Sequence, residues 1–203
     1  MKKLLVLLCA VSCVVLTAAA ASADSINGRV GLSGRIGFLV PADNEVYGSG
    51  DVETDAGFVG GGGLLIGLPS NFALEVDVTY AAFEGDDWWG DDYDFDTTNI
   101  SLGLQYRFAN LPTQRLVPYV GAGVDILISD TEDSFGNDAK IDTVVGGHIS
   151  GGVDYFLSRN FALTAEVKFV FAPDADITFQ GNHVGDFDPT SIATTFGMRL
   201  FFN

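Results

Sequence analysis

Apolar and polar residues alternate with a period of two in one segment of this chain after another. In residues 26–40 the even positions hold Ile26, Val30, Leu32, Ile36, Phe38 and Val40, and the odd ones hold Asn27, Arg29, Gly31, Ser33 and Arg35. Residues 72–83 set Phe72, Leu74, Val76, Val78 and Tyr80 against Ala73, Glu75, Asp77 and Thr79. In 98–108, Ile100, Leu102, Leu104, Tyr106 and Phe108 alternate with Asn99, Ser101, Gln105 and Arg107. Phe161, Leu163, Val167, Phe169 and Phe171 do so with Thr164, Glu166 and Lys168, and Ile192, Phe196, Met198, Leu200 and Phe202 with Ser191, Thr195 and Arg199. Successive side chains of a strand point to opposite faces, so each segment predicts a strand with one apolar and one polar face.

Three further strands are less regular. Residues 58–68 are glycine-rich, with Leu64, Ile66 and Leu68 on one face. Residues 117–129 place Val120, Val124, Ile126 and Ile128 opposite Tyr119, Asp125 and Ser129, and Pro118 falls at the start, where a missing N–H is tolerated. Residues 141–156 place Val145, Ile149, Val153 and Tyr155 opposite Asp142, His148, Ser150 and Asp154. The total is eight strands, each longer than the five or six residues usual in soluble proteins and long enough for a tilted membrane crossing of about nine to eleven. Connections alternate: 68–71, 109–116 and 157–160 are short, whereas 41–54, 84–96, 130–140 and 173–189 are long and polar. Short turns at one end and long loops at the other fit a transmembrane barrel with its short turns in the periplasm. The predicted fold class is therefore all-β, an eight-stranded antiparallel up-and-down transmembrane β-barrel. Lipid offers no hydrogen bonds, so closure is required, and eight strands leave an interior just wide enough for side chains.

The first residues read differently. Lys2 and Lys3 precede an apolar run over 4–16, and Ala21-Ser22-Ala23 is a small-residue site of the kind signal peptidase cuts. The expected organisation is a cleaved signal peptide at 1–23 and a barrel domain at 24–203. Cys13 follows Ala10-Val11-Ser12, a loose lipobox, but the apolar stretch 14–23 left behind it argues against lipid attachment. Because Cys9 and Cys13 both lie in the leader, the mature chain is expected to lack disulfides and thiol chemistry. A net charge of −17 leaves no basic patch for phosphates, which argues against nucleic acid as a partner. With 47% hydrophobic residues the chain is not a disordered acidic tail, so apolar and acidic residues must be segregated in space.

Three stretches carry a family resemblance. Pro118-Tyr119-Val120-Gly121-Ala122-Gly123 looks like a strand start of small outer-membrane barrels of the OmpW and porin-family type, the OmpA-like transmembrane barrels. Gly152-Val153-Asp154-Tyr155-Phe156-Leu157-Ser158-Arg159-Asn160 resembles a strand and turn of that group, and 195–202 resembles the terminal strand read by the barrel assembly machinery. Asn203, after the aromatic residue that usually ends such chains, is a departure. The chain reads as a barrel without the peptidoglycan-binding domain of the two-domain OmpA plan. The resemblance implies location in the bacterial outer membrane, contact with lipid and lipopolysaccharide, and the assembly machinery as a partner during insertion. OmpW-like proteins are associated with passage of small hydrophobic molecules through an apolar-lined barrel, whereas the polar faces here are charged.

Those charges define the candidate site. Arg29, Arg35, Glu75, Asp77, Arg107, Asp125, Asp154, Glu166, Lys168 and Arg199 are expected to point inward and form an ion-pair network that plugs the lumen, since unpaired buried charges cost several kcal/mol. Arg29, Arg35 and Arg107 are expected to pair with Glu75, Asp77 and Asp125; the alternative is a polar pore lining. The long loops carry most of the acid, and Asp92, Asp94 and Asp96 are weak divalent-cation candidates, lacking the glycine and glutamate of an EF-hand. Divalent cations would bind there directly or bridge to lipopolysaccharide. Trp88, Trp89, Tyr93 and Phe95 read as an outer aromatic girdle. His148 and Ser150 share a strand face and, with Glu166 or Asp154, outline a lipid A hydrolase, but the Gly151-Gly152 that follows departs from that motif. His183 stands alone, and Gly60–Gly63 lacks the Lys-Ser/Thr of a phosphate loop. The expected protein is not an enzyme and needs no cofactor; its role is structural or interactive, with limited passage of small solutes. The rival from another class is a soluble periplasmic ligand-binding barrel, which would need the apolar faces inside.

Overall fold

The computed structural model describes residues 26–41, 44–46, 50–54, 56–86, 92–109, 115–133, 138–179 and 182–202. The signal-peptide reading of residues 1–23, Cys9 and Cys13, and the girdle candidates Trp88 and Trp89 lie outside them. The strands are β1 (Val30–Pro41), β2 (Asn44–Val46), β3 (Gly50–Thr54), β4 (Gly57–Gly67), β5 (Phe72–Asp86), β6 (Asp92–Arg107) and β7 (Leu116–Asp133). They continue as β8 (Asp138–Ile141), β9 (Val144–Ser158), β10 (Phe161–Phe171), β11 (Ala175–Phe179), β12 (Asn182–Phe187) and β13 (Ser191–Phe202).

Eight of these close a ring. The order β4, β5, β6, β7, β9, β10, β13, β1 returns to β4, with every pair antiparallel. The outward faces are apolar: Ile36 is 60% exposed, Phe38 63% and Val145 65%, while Arg199, Asp125 and Asp154 are wholly buried inside. A water-soluble barrel needs the opposite polarity, so the soluble alternative fails. From Val30 to Val40 the outward residues climb roughly 33 Å of strand, about 25 Å once tilted by some 40°, the height of the apolar band of such barrels.

Aromatic residues mark both ends of that band. Phe72, Tyr106 and Phe108 meet edge to face at 5.2 and 5.1 Å by the short turns. At the far end Phe38, Phe58, Tyr80 and Phe171 stand exposed on the outer wall, and Phe38 is directly opposite Phe58. The register puts Tyr93 and Phe95 opposite Gly85 and Phe83, farther out than Tyr80, which is opposite Thr98.

Two expectations are corrected. The segments read as polar loops carry strands: β5, β6 and β7 run straight on past the apolar band, and β2, β3, β8, β11 and β12 complete a second ring above the first. We call this ring the collar. The apolar alternation that reveals a lipid-facing strand has no cause to persist outside lipid, so the collar strands lack that signal. The second correction concerns residues 26–29, which form a turn rather than the start of β1. The Arg29 N–H donates to the Ile26 carbonyl at 2.9 Å, and Gly28 takes φ +74°, a conformation glycine adopts without penalty. The turn sends Ile26 inward, against Leu65, Ala73, Val117, Phe156, Ala162 and Phe201, in an apolar cluster that floors the barrel at its short-turn end.

A charge on the lipid face tests this polarity. Val76 lies on β5 between Leu64 and Leu102, all three outward. Val76→Arg is expected to lower unfolding free energy by about 2–4 kcal/mol, read from urea unfolding in lipid vesicles.

Candidate functional site: the barrel lumen

Above the apolar floor the lumen is crossed by ion pairs from facing walls. Glu75 on β5 joins three donors: its Oε1 accepts from Arg35 of β1 at 2.7 Å and Arg199 of β13 at 3.0 Å, and its Oε2 from Gln105 at 2.6 Å. Arg35 also reaches Glu166 of β10 at 2.8 Å. Arg199 donates to both oxygens of Asp154 on β9, at 3.1 and 2.9 Å, and Arg107 of β6 meets the same carboxylate. Tyr119 of β7 stands in the middle. Its hydroxyl donates to Glu166 at 2.9 Å and accepts from Arg199 at 3.3 Å, and the Arg199 and Arg107 guanidiniums lie 4.8 and 5.5 Å from its ring centre. Gly152 makes this possible, because a Cβ there would collide with the Tyr119 hydroxyl.

A second group lies nearer the collar. Asp125 accepts from Asn99 at 3.0 Å and is 2.6 Å from His148 Nδ1. Lys168 donates to Ser101 at 3.1 Å and stands 3.9 Å from Asp77, which is also 3.3 Å from Arg35. Asp77 leans over bare backbone, since a Cβ on Gly63 would come within 2.5 Å of its Oδ1. The role of Gly60–Gly63 is thus partly to leave room for inward side chains.

The ten charged residues singled out in the sequence all line the interior, but their partners differ from the expected ones. Arg35 does meet Glu75 and Asp77; Arg107 instead takes Asp154, and Asp125 takes His148 and Asn99. Arg29 sits low in the barrel, donating to the Arg159 carbonyl at 2.8 Å and lying over the Phe201 ring at 5.3 Å. Strand tilt is the reason: groups at the same height come from positions displaced along neighbouring strands, which linear order does not show. Gln105, Tyr119, Asn99 and Ser101 were visible as inward positions by parity, though not as partners of the charges.

The other candidates fare differently. His148 and Ser150 occupy lumen-facing positions of β9, away from lipid, and His148 is held by Asp125. Asp96 accepts a hydrogen bond from Tyr80 at 2.5 Å. The side chains of Asp92, Asp94 and His183 lie outside the described residues. Among the described residues no group of three or more histidines, cysteines or carboxylates is arranged to hold a metal.

Between the ion pairs and the collar the interior changes character. A chamber of about 640 Å³, its open mouth included, is walled by Leu39, Val59, Ala81, Leu127, Val170 and Phe187, ringed by Thr79, Thr97, Ser191 and Thr195, and floored by Arg35, Asp77, Glu166 and Lys168. The reading of the polar faces as charged throughout did not foresee it. From the turn before β1 into that strand the inward positions run Arg29, Arg35, then Leu39; on β10 they run Glu166, Lys168, then Val170. That change along each strand was the available signal.

A closed eight-stranded barrel with lipid-facing apolar walls and a charged interior defines the class: an integral protein of the bacterial outer membrane. The chain belongs to the outer membrane protein beta-barrel domain family, whose sequence model matches residues 7–199. No curated protein matches it in sequence. Among solved structures it is similar to the outer membrane protein OprG from Pseudomonas aeruginosa, at TM-score 0.66 and 16% identity over 87% of this chain and 97% of that one. Neisserial surface protein A aligns at TM-score 0.62 and 17% identity over 87% and 98%. The Escherichia coli outer membrane protein W does so at 0.51 and 18%, also over 87% and 98%. At these identities the likeness shows the fold, that of the small OmpW- and OmpA-like barrels.

Glu75→Ala would strand Arg35 and Arg199 without their shared acceptor. The expected cost is about 3–5 kcal/mol, seen as a lower temperature for the heat-dependent mobility shift in electrophoresis, with Glu75→Gln in between. An unchanged transition would mean that the ion pairs do not brace the barrel.

Proposed function

We propose that this protein serves the outer membrane as a structural and interaction element, without enzymatic activity, whose lumen is closed to steady aqueous flow. The observation that carries the reading is the layer in which Arg35, Arg107 and Arg199 tie β1, β6 and β13 to Glu75, Glu166 and Asp154 on β5, β10 and β9. These side chains meet across a narrow lumen, with the apolar floor beneath them, so water and ions have no open column to follow. Loss of their pairing would leave several charges unsatisfied at once, which opposes transient opening. Lipid A hydrolysis finds no support, because His148 is turned to the lumen and an acyl chain in the bilayer lies on the other side of the wall.

The interaction role falls to the collar. Its register sets acid opposite acid: Asp94 faces both Glu84 and Glu132, Asp86 faces both Glu53 and Asp92, and Asp186 faces both Glu45 and Asp176. Like charges directly opposite across a ladder repel, so counter-cations stabilise this end, including divalent ions that also bridge to anionic lipopolysaccharide.

Two measurements check these readings. In planar bilayers the wild-type barrel is expected to show no sustained channel; steady conductance would overturn the closed lumen. Millimolar Mg2+ is expected to raise the unfolding temperature more than NaCl of equal ionic strength does. An equal response to both salts would reduce the collar to a simply screened surface.

A further inference from the structure

The chamber above the ion pairs holds polar atoms that the barrel does not satisfy. Asp77 is 1% exposed and lines the chamber, yet neither of its carboxylate oxygens accepts a hydrogen bond within the protein. Its two cationic neighbours pair with it by charge but without a hydrogen bond: the nearest Arg35 nitrogen, 3.3 Å away, donates to Glu75 at 2.7 Å, and the Lys168 ammonium, 3.9 Å away, donates to Ser101 at 3.1 Å. Asn99 adds a third acceptor: its amide nitrogen is spent on Asp125, and its Oδ1, buried and on the same chamber, has no donor. A buried acceptor left empty is destabilising, more so when charged, so three together call for a donor from outside the chain.

The walls and the mouth narrow the chemistry. Above Asp77 and Asn99 the lining turns to Leu39, Val59, Leu127 and Val170, which favours an apolar body. Access from the collar passes acidic ladders in a chain of net charge −17, which raises the local concentration of cations and repels anions. We propose that the chamber is a binding site for a small primary-amine amphiphile, its ammonium donating to Asp77 and Asn99 and its alkyl portion resting on Leu127 and Val170. An ammonium carries three N–H donors, matching the three open acceptors, and supplies the short bond to Asp77 that Lys168, at 3.9 Å, does not make. The proposal rests on the closed lumen only in that the ion pairs form the chamber floor. Conductance and occupancy are separate readouts, so either can fail alone.

The test uses the full barrel in lipid nanodiscs with labelled Leu and Val methyl groups, titrated separately with n-hexylamine, n-hexanol and hexanoate at neutral pH. Hexylamine is expected to shift the Leu127 and Val170 methyl resonances saturably, and the alcohol and the acid are expected to bind at least about tenfold more weakly. Asp77→Asn should lose about tenfold in hexylamine affinity while leaving hexanol unchanged. Because Asp77 also neighbours Arg35 and Lys168, a second variant stands apart from the ion pairs: Ala81→Phe fills the chamber and should abolish the shifts while the heat-dependent mobility shift persists. Equal binding of amine and alcohol, an unaffected Asp77→Asn, or no saturable shift in the wild type would each overturn the proposal, the last by showing that water alone meets these acceptors.

Discussion

Everything in this molecule follows from a solvent that cannot hydrogen-bond. In lipid each backbone N–H and C=O must find its partner inside the protein, so the sheet has to close on itself. The β1–β13 pairing joins the first and last strands of the barrel, and the ring has no free edge at the level of the apolar band. Closure then dictates side-chain chemistry. Alternate residues face lipid, the rest face the interior of the barrel, and a position changes environment completely by moving one residue along the strand.

The interior answers with pairing rather than exclusion of charge. Among the described residues, five Arg or Lys and five Asp or Glu side chains are buried in the lumen. Burying one of them alone would be prohibitive, but Glu75 with Arg35 and Arg199, and Asp154 with Arg107 and Arg199, share partners across the tube. A hydrophobic filling would give comparable stability. The ionic one has a different consequence: each bond links two particular strands at a particular height, so a slip in register would unmatch several at once. This ties strand order to side-chain identity, and Tyr119, at the centre of the knot, makes the match depend on the bare backbone at Gly152.

The parts legible in the sequence are those that lipid enforces. Phe38, Val76, Leu102 and Phe196 had to alternate with polar residues, and strand number, polarity and inward residues followed by parity alone. Two things stayed hidden for physical reasons. Collar strands such as β11 and β12 lie beyond the apolar band, where nothing imposes alternation. Ion-pair partners depend on tilt, so Arg107 finds Asp154 on β9, and His148, whose catalytic reading the residues after Ser150 had argued against, is held by Asp125. Ile26 misled for a third reason: it fits the parity of β1, but Gly28 turns the chain before the strand begins.

The lumen is therefore layered, and the layers assign different work to different heights. Apolar packing around Phe156 and Phe201 occupies the short-turn end, where the rings stack at 5.5 Å. Ion pairs hold the middle. Higher up, where Leu39, Ala81 and Val170 replace charged residues at the same inward parity, side chains shrink and no longer cross the tube, and a chamber opens. Beneath it the carboxylates accept hydrogen bonds from the facing cations; at its floor the Asp77 oxygens and the Asn99 Oδ1 accept none. A barrel whose only task was to stay closed would gain by filling that space or by satisfying those oxygens. That it does neither sets this level apart from the braced layer below and makes the chamber, rather than a pore, the place to look for chemistry inside this barrel.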